Sequence, residues 1–167
     1  MIRNFNSLLV TMFGLGKIKF MPGTFGSLAT VIFLFYLFHI LNISPNIILI
    51  GWIIIFMYSF YAVSTHISAS KDKDPGEIII DEFLGQSIPI YLYEISHGTT
   101  KESDQAIIYY SLFFVLFRYF DVLKPFPVSF FDRGFKNSFG VIMDDICAGL
   151  YVVITLVCFM IVKSYVL

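Results

Sequence analysis

Gly140-Val-Ile-Met-Asp144-Asp145-Ile-Cys-Ala-Gly149 runs without a break into Leu150-Tyr-Val-Val-Ile-Thr-Leu-Val-Cys-Phe-Met-Ile-Val162. From Ile146 to about Val162 the stretch is uncharged and shows no strand-like alternation. It is long enough to cross a hydrocarbon core of about 30 Å as a helix. A helix satisfies its own backbone groups in lipid, where nothing else can. Two acids at the mouth of such a segment are expensive beside hydrocarbon, and charges placed there are usually functional.

Working outward, four more apolar stretches precede it, at about Leu28–Ile43, Ile47–Ala69, Ile78–Ile95 and Ala106–Phe120. The second spans easily. The first and fourth are short, and Gly85 and Pro89 predict an interruption of the third, so any of these three can be re-entrant or interfacial. The fold expected is all-α: a small polytopic membrane bundle of four to five apolar helices. The 167 residues form a single domain. Composition agrees, at 57% hydrophobic and 14% charged, well above the apolar share of an ordinary soluble domain. Cys147 and Cys158 lie in one apolar run, about 16 Å apart on a helix, too far for a disulfide. The N-terminal stretch, Arg3 then Leu8-Leu9-Val10, lacks the apolar core and cleavage site of a removable signal peptide.

The net charge of −1 conceals a pattern. If the N-terminus is cytoplasmic and all five stretches cross, one side carries Arg3, Lys17, Lys19, Lys71, Lys73, Arg118, Lys124, Arg133 and Lys136. Lys101 and Lys163 alone fall on the other. Nine against two is the bias of the positive-inside rule. The same topology puts Asp81, Glu82, Asp121, Asp132, Asp144 and Asp145 on the cytoplasmic side. Carboxylate oxygens suit Mg²⁺, and Arg and Lys suit phosphate. The chain therefore reads as an active site for a phosphorylated substrate at a membrane surface.

Four motifs carry this reading. Met21-Pro-Gly-Thr-Phe-Gly-Ser-Leu28 opens the first apolar helix, with Pro22-Gly23 as a turn and Thr24 or Ser27 as a cap. Its N–H groups and dipole offer a place for an anion, although the local pattern alone favours an ordinary capped helix start. Asp81-Glu82 follows three isoleucines, and adjacent helical residues point about 100° apart, so one acid can bind metal while the other serves as base or supports a ligand. Phe117-Arg118-Tyr-Phe-Asp121-Val-Leu-Lys124-Pro125-Phe-Pro127 puts Arg118, Asp121 and Lys124 in one i,i+3 stripe before prolines end the helix. A salt bridge with a snorkelling lysine is the alternative, but a bridge this close to an apolar segment is costly, which favours function. Last come Asp132-Arg133 and the Asp144-Asp145 pair, which opens the final helix, where Ala148 and Gly149 permit close helix approach.

Together and in this order, the motifs resemble the phosphatidylglycerophosphatase A family. The resemblance is carried by Pro22-Gly-Thr-Phe-Gly-Ser-Leu28, Asp81-Glu82-Phe-Leu-Gly85, Phe117-Arg118-x₂-Asp121-x₂-Lys124-Pro125-x-Pro127, Phe131-Asp132-Arg133 and Gly140-x₃-Asp144-Asp145-x₂-Ala148-Gly149. It covers about residues 14–151. It implies an all-α, Mg²⁺-dependent, multi-pass enzyme of the bacterial inner membrane. That enzyme would hydrolyse the terminal phosphomonoester of phosphatidylglycerophosphate, leaving phosphatidylglycerol and phosphate. Glu94 to Gln105 and the C-terminal tail carry no motif of the family.

The chemistry assigns provisional roles. A phosphomonoester is doubly charged near neutral pH, so its charge must be neutralised and a nucleophile delivered in line. Glu82, Asp121, Asp144 and Asp145 are the expected metal ligands, directly or through water. Asp81 is a candidate base or supporting group. Arg118 and Lys124 would hold phosphate oxygens, with Thr24, Ser27, Asp132 and Arg133 lining the substrate pocket. Attack by water and attack by a carboxylate both remain open.

Other classes fit less well. Asp72-Lys-Asp74 has the letters of a haloacid-dehalogenase site but lies in a polar loop before Pro75-Gly76. His39, His66 and His97 lack metal-ligand spacing, and there is no basic stripe for nucleic acid. A membrane lipid-phosphate transferase would want longer Asp-rich motifs. A small carboxylate-lined ion transporter would hold its acids near the bilayer midplane rather than at one end.

Overall fold

A computed structural model describes residues 2–69, 76–97 and 103–166. Among these residues the chain is helical with no strand. Helix α1 (Ile2–Val10) leads through a 3₁₀ turn (Leu15–Lys17) into α2 (Pro22–Phe35), which a wider π-type turn carries on to Ile40. Then come α3 (Pro45–Ala69), α4 (Ile80–His97), α5 (Ser103–Leu123), the short α6 (Val128–Gly134) and α7 (Ser138–Val166). Lys71, Asp72, Lys73, Asp74 and Lys101 lie outside the described residues.

Four segments are long and apolar enough to cross a membrane: Pro22–Ile40, Pro45–Ala69, Asp104–Leu123 and Ser138–Val162. Their outward faces are greasy, as at Ile54 and Met57 on α3, Ile108 and Val115 on α5, and Ile154 and Phe159 on α7. Only lipid or another apolar surface suits so much exposed hydrocarbon.

The third apolar stretch is the exception. Gly85 and Pro89 predicted an interruption, yet α4 is continuous from Ile80 to His97. It is the bundle's central helix, packed mainly on α7 and α2, with α3 and α5 also against it. Neighbouring helices make Pro89 tolerable. Proline supplies no N–H for the Gly85 carbonyl, and that carbonyl faces α7, where a Cβ on Gly149 would stand 2.3 Å from it. The close approach expected at Ala148 and Gly149 is thus reciprocal, since a Cβ on Gly85 would stand 2.3 Å from the Asp145 carbonyl oxygen.

Two apolar clusters hold the bundle. One gathers Leu34, Phe38, Ile90, Phe113, Phe117 and Val152. The other gathers Val10, Val63, Ile78, Leu84 and Ile142, and so includes the amphipathic α1. That helix is tied to α3 by Tyr58 Oη donating to Asn6 Oδ1 at 2.7 Å, and to the start of α4 by Ile79 N–H donating to the Val10 carbonyl at 3.0 Å. Burying the first turn of α4 in this way fixes where its acids stand.

Candidate active site

The N-termini of α2 and α4, the C-terminus of α5, α6 and the first turns of α7 meet at one end of the bundle. They enclose a polar cavity of about 290 Å³. Its walls carry Asp81, Glu82, Asp121, Asp132, Asp144 and Asp145 beside Arg118, Lys124 and Lys136. Acids from four helices, separated by up to 64 positions, face one space.

Local sequence explains each placement. Helix α2 starts with Pro22 at its first position, where proline is pre-organised and its missing N–H costs nothing. Met21 before it is left-handed, with φ 48°. Neither Thr24 nor Ser27 caps this helix, contrary to expectation: Ser27 Oγ donates back to the Gly23 carbonyl at 2.9 Å, and Thr24 Oγ1 is buried without a protein partner at the cavity wall. Gly23 is required by close approach, because a Cβ there would stand 2.1 Å from Glu82 Oε1 and 3.2 Å from Arg118 Nη1.

Two further expectations are corrected. Asp144 and Asp145 do not open α7. That helix begins at Ser138, with the Asn137 side chain accepting from the N–H groups of Phe139 and Gly140, so the pair lies almost two turns inside. The buried position leaves the acids dependent on neighbours rather than on water. Lys124 does not continue a helical stripe either. Helix α5 ends at Leu123, and Lys124 adopts φ 46° before Pro125. This reversal swings its ammonium toward α6 and α7, where Nζ donates to Asp132 Oδ1 at 2.6 Å and Asp144 Oδ2 at 2.9 Å. Arg118 and Asp121 do share a helix face, as an ion pair of 2.5 Å.

The charge balance of the cavity is uneven: six carboxylates face three cations. Two cations are engaged with acids already, Arg118 with Asp121 and Lys124 with Asp132 and Asp144. Asp81, Glu82 and Asp145 remain, each offering a carboxylate oxygen within 4.8 Å of the others. Glu82 Oε2 is buried without a protein partner. Buried charges of one sign need a counter-charge or a metal. Opposite oxygens around octahedral Mg²⁺, at bonds of about 2.1 Å, stand about 4.2 Å apart, so a small relaxation fits this trio to such an ion. The trio differs from the ligand set expected from the sequence in including Asp81, for which the sequence suggests a base or supporting role. Asp121 and Asp144 reach the cavity bound to cations.

The electrostatics point the same way. Burial, with the charges of Glu82 and Asp145, holds the Asp81 carboxyl well above its usual range. Burial also raises Glu82 to about 7; a hydrogen bond from Asp81 and the Arg118 charge offset this in part, while Asp121 adds to it. These are the shifts of acids crowded together without a cation. Lys124 is opposite: burial works against its charge, but the hydrogen bond to Asp132 and the field of Asp144 outweigh it and raise its pKa.

Of the predicted site residues, Thr24, Asp81, Glu82, Arg118, Asp121, Lys124, Asp132, Asp144 and Asp145 line the cavity. Ser27 is buried but is not on its wall, and Arg133 is exposed on α6 and points elsewhere. Lys136 was missed. It lines the cavity and donates to the Asp132 carbonyl at 3.0 Å. The signal was a lysine in the polar link between two acidic motifs. His66 does not join the site; it meets Glu77 at 2.8 Å.

Comparison with known proteins places the chain in a family. The family model described as Phosphatidylglycerophosphatase A matches residues 8–160. Phosphatidylglycerophosphatase A of Haemophilus influenzae is 36% identical over 147 residues, covering 88% of this chain and 83% of the relative. Its counterpart in Escherichia coli is 31% identical over 145 residues, covering 86% and 76%. A Bacteroides thetaiotaomicron protein, provisionally named a phosphatidylinositol-3-phosphatase, is 30% identical over 145 residues, covering 86% of each chain. No solved structure matches significantly. With the ordered motifs and a match over nearly its whole length, the chain belongs to the phosphatidylglycerophosphatase A family.

Proposed function

We propose that this protein hydrolyses the terminal phosphomonoester of phosphatidylglycerophosphate, giving phosphatidylglycerol and phosphate. It does so with Mg²⁺, at the cytoplasmic face of the bacterial inner membrane. The observation that carries the proposal is the carboxylate trio Asp81, Glu82 and Asp145 beside Arg118, Lys124 and Lys136 in one cavity at the end of an apolar bundle. Family membership supports the substrate. The cytoplasmic orientation is supported by the bases on this end, among them the exposed Lys17, Lys19, Arg133 and Lys136.

Asp81, Glu82 and Asp145 would hold the cation. Bound there, Mg²⁺ would polarise the phosphoryl oxygens and lower the pKa of a coordinated water. The remaining work falls to side chains. Arg118 and Lys124 meet the equatorial phosphoryl oxygens, whose charge is spread in the transition state. Asp121 and Asp144 keep these two cations oriented, so little reorganisation remains at the moment of reaction. Thr24 Oγ1 and the Gly23 N–H at the α2 N-terminus add donors beside Glu82 and Arg118. Water attacks phosphorus in line and its proton passes to a cavity carboxylate. The P–O bond to the glycerol breaks, and the alkoxide leaving group takes up a proton.

Phosphate release from phosphatidylglycerophosphate in detergent micelles, with Mg²⁺ and with chelator, tests the proposal. Release with Mg²⁺ only is the expected result. Release unaffected by chelator, or none under either condition, would refute it.

A further inference from the structure

A second cavity adjoins the site. An apolar groove of about 430 Å³ lies between α2, α3 and α4, lined among others by Leu34, Leu37, Ile48, Trp52, Phe83 and Leu92. Two of its polar side chains are engaged with backbone carbonyls. Trp52 Nε1 donates to the Leu84 carbonyl at 3.3 Å, and Ser87 Oγ donates to the Phe83 carbonyl at 2.5 Å. No charged side chain lines it to hold a headgroup or a phosphate. Phe33 and Leu92 on its rim are exposed, so it opens sideways to surrounding hydrocarbon.

Position identifies the occupant. The groove and the polar cavity share no lining residue, but they meet along α4, where Glu82 lines one and Phe83 the other. Helix α2 also serves both, with Gly23 and Thr24 in the cavity and Phe33, Leu34 and Leu37 in the groove. From Phe83 to Leu92, nine residues of helix cover about 13.5 Å. One leaflet of a bilayer has about 15 Å of hydrocarbon. On α4 the groove starts at the residue after Glu82, and along α2 and into α3 it reaches Leu37, Ile43 and Ile47 toward the opposite end of the bundle, a length that accommodates an extended acyl chain.

We infer that this groove holds one hydrocarbon chain of the lipid whose phosphomonoester enters the polar cavity, while the second chain stays in the bilayer. The inference rests on the lipid phosphatase reading above. The tilted Phe33–Phe83 pair, with ring centroids 6.4 Å apart, lines the groove, and Phe83 directly follows the cavity residue Glu82. The groove sets chain preference, and the cavity does the chemistry.

Gly51 provides the test. It lines the groove, and a Cβ there meets nothing within 4 Å, so a larger side chain fills the groove without forcing the backbone apart. Purified full-length wild type and Gly51→Phe, with Mg²⁺, are assayed on long-chain phosphatidylglycerophosphate in micelles and on its deacylated, water-soluble headgroup. The ratio of kcat/KM for lipid over headgroup should fall at least about tenfold in Gly51→Phe, since several methylenes lose their burial. A ratio unchanged within about twofold would overturn the inference but leave the phosphatase reading intact. Wild type inactive on both substrates would remove the phosphatase reading and this inference with it. Photolabelling gives an independent measurement on the unmodified protein. A non-hydrolysable phosphonate analogue with a diazirine near its chain end should label residues 47–55 and be competed by substrate lipid. Labelling equal to that by diazirine-bearing phosphatidylcholine would mean that bulk lipid fills the groove, and would overturn the inference.

Discussion

The Asp145 carbonyl oxygen lies where the side chain of Gly85 would be, 2.3 Å from an ideal Cβ. Absence of that side chain lets α7 approach α4 closely enough for Asp145 to share a cavity with Asp81 and Glu82. In Gly85→Ala the new methyl would also meet the Phe117 ring at 2.8 Å, and neither neighbour is a flexible tip. Overpacking of this kind costs about 1–3 kcal/mol. Thermal unfolding in detergent should therefore shift downward together with a loss of phosphate release. A variant matching wild type in both would contradict the packing described.

Gly23→Ala should separate the two effects. Its nearest neighbour is the tip of Glu82, which can swing away, so the stability cost should stay below about 1 kcal/mol. Displacing a group by about 1 Å at a reacting centre costs about 100-fold in rate. The expectation is near-normal unfolding with kcat/KM down by about two orders of magnitude, measured by phosphate release and differential scanning fluorimetry.

Lys124→Met removes the partner of both Asp132 and Asp144. The loss should be about 1–3 kcal/mol, less than for a fully buried pair because the ammonium is partly solvated. Adding Asp144→Asn relieves the stranded charge, so the double variant should regain part of the stability and none of the activity. Additive stability losses in the double variant would show that the two side chains do not interact.

Glu82 sets a pH dependence with an unusual sign. Its pKa is raised from 4.5 to about 7 in the folded, metal-free protein, and Asp81 shifts the same way. Between these values the folded state binds more protons than the unfolded state. Stability without metal should therefore fall as pH rises from about 4.5 to about 7, by up to about 1.4 kcal/mol per pH unit for each such group. Divalent cation replaces the protons, so Mg²⁺ should raise the unfolding temperature more at pH 8 than at pH 5. An equal Mg²⁺ effect at both values would argue against these carboxylates as its site.

Much of this architecture is legible in the sequence because membrane insertion writes it in plain terms. The uninterrupted run after Asp145 and the one through Trp52 read directly as helices. Helix starts did not, because apolarity marks the lipid-embedded part only: α2 begins at Pro22 and α7 at Ser138, in polar turns. The convergence of the acids was inferable from their common end of the bundle. Their pairing was not, since it depends on Lys124 turning back at φ 46° and on the Gly85–Gly149 contact. Nor did the sequence reveal the buried far end, where Glu94 receives Tyr110 Oη at 3.0 Å and meets His39 at 3.2 Å. Those partners lie 16 and 55 residues away, beyond any local pattern.

The claim on which the account depends most is that Asp81, Glu82 and Asp145 together hold a divalent cation. Mn²⁺ binding to the purified protein, followed by electron paramagnetic resonance, tests it most directly. Saturable binding that Mg²⁺ displaces, and that Asp145→Asn and Glu82→Gln each abolish while the variants remain folded, is the predicted result. Binding of equal strength in wild type and both variants, or none in wild type, would contradict it.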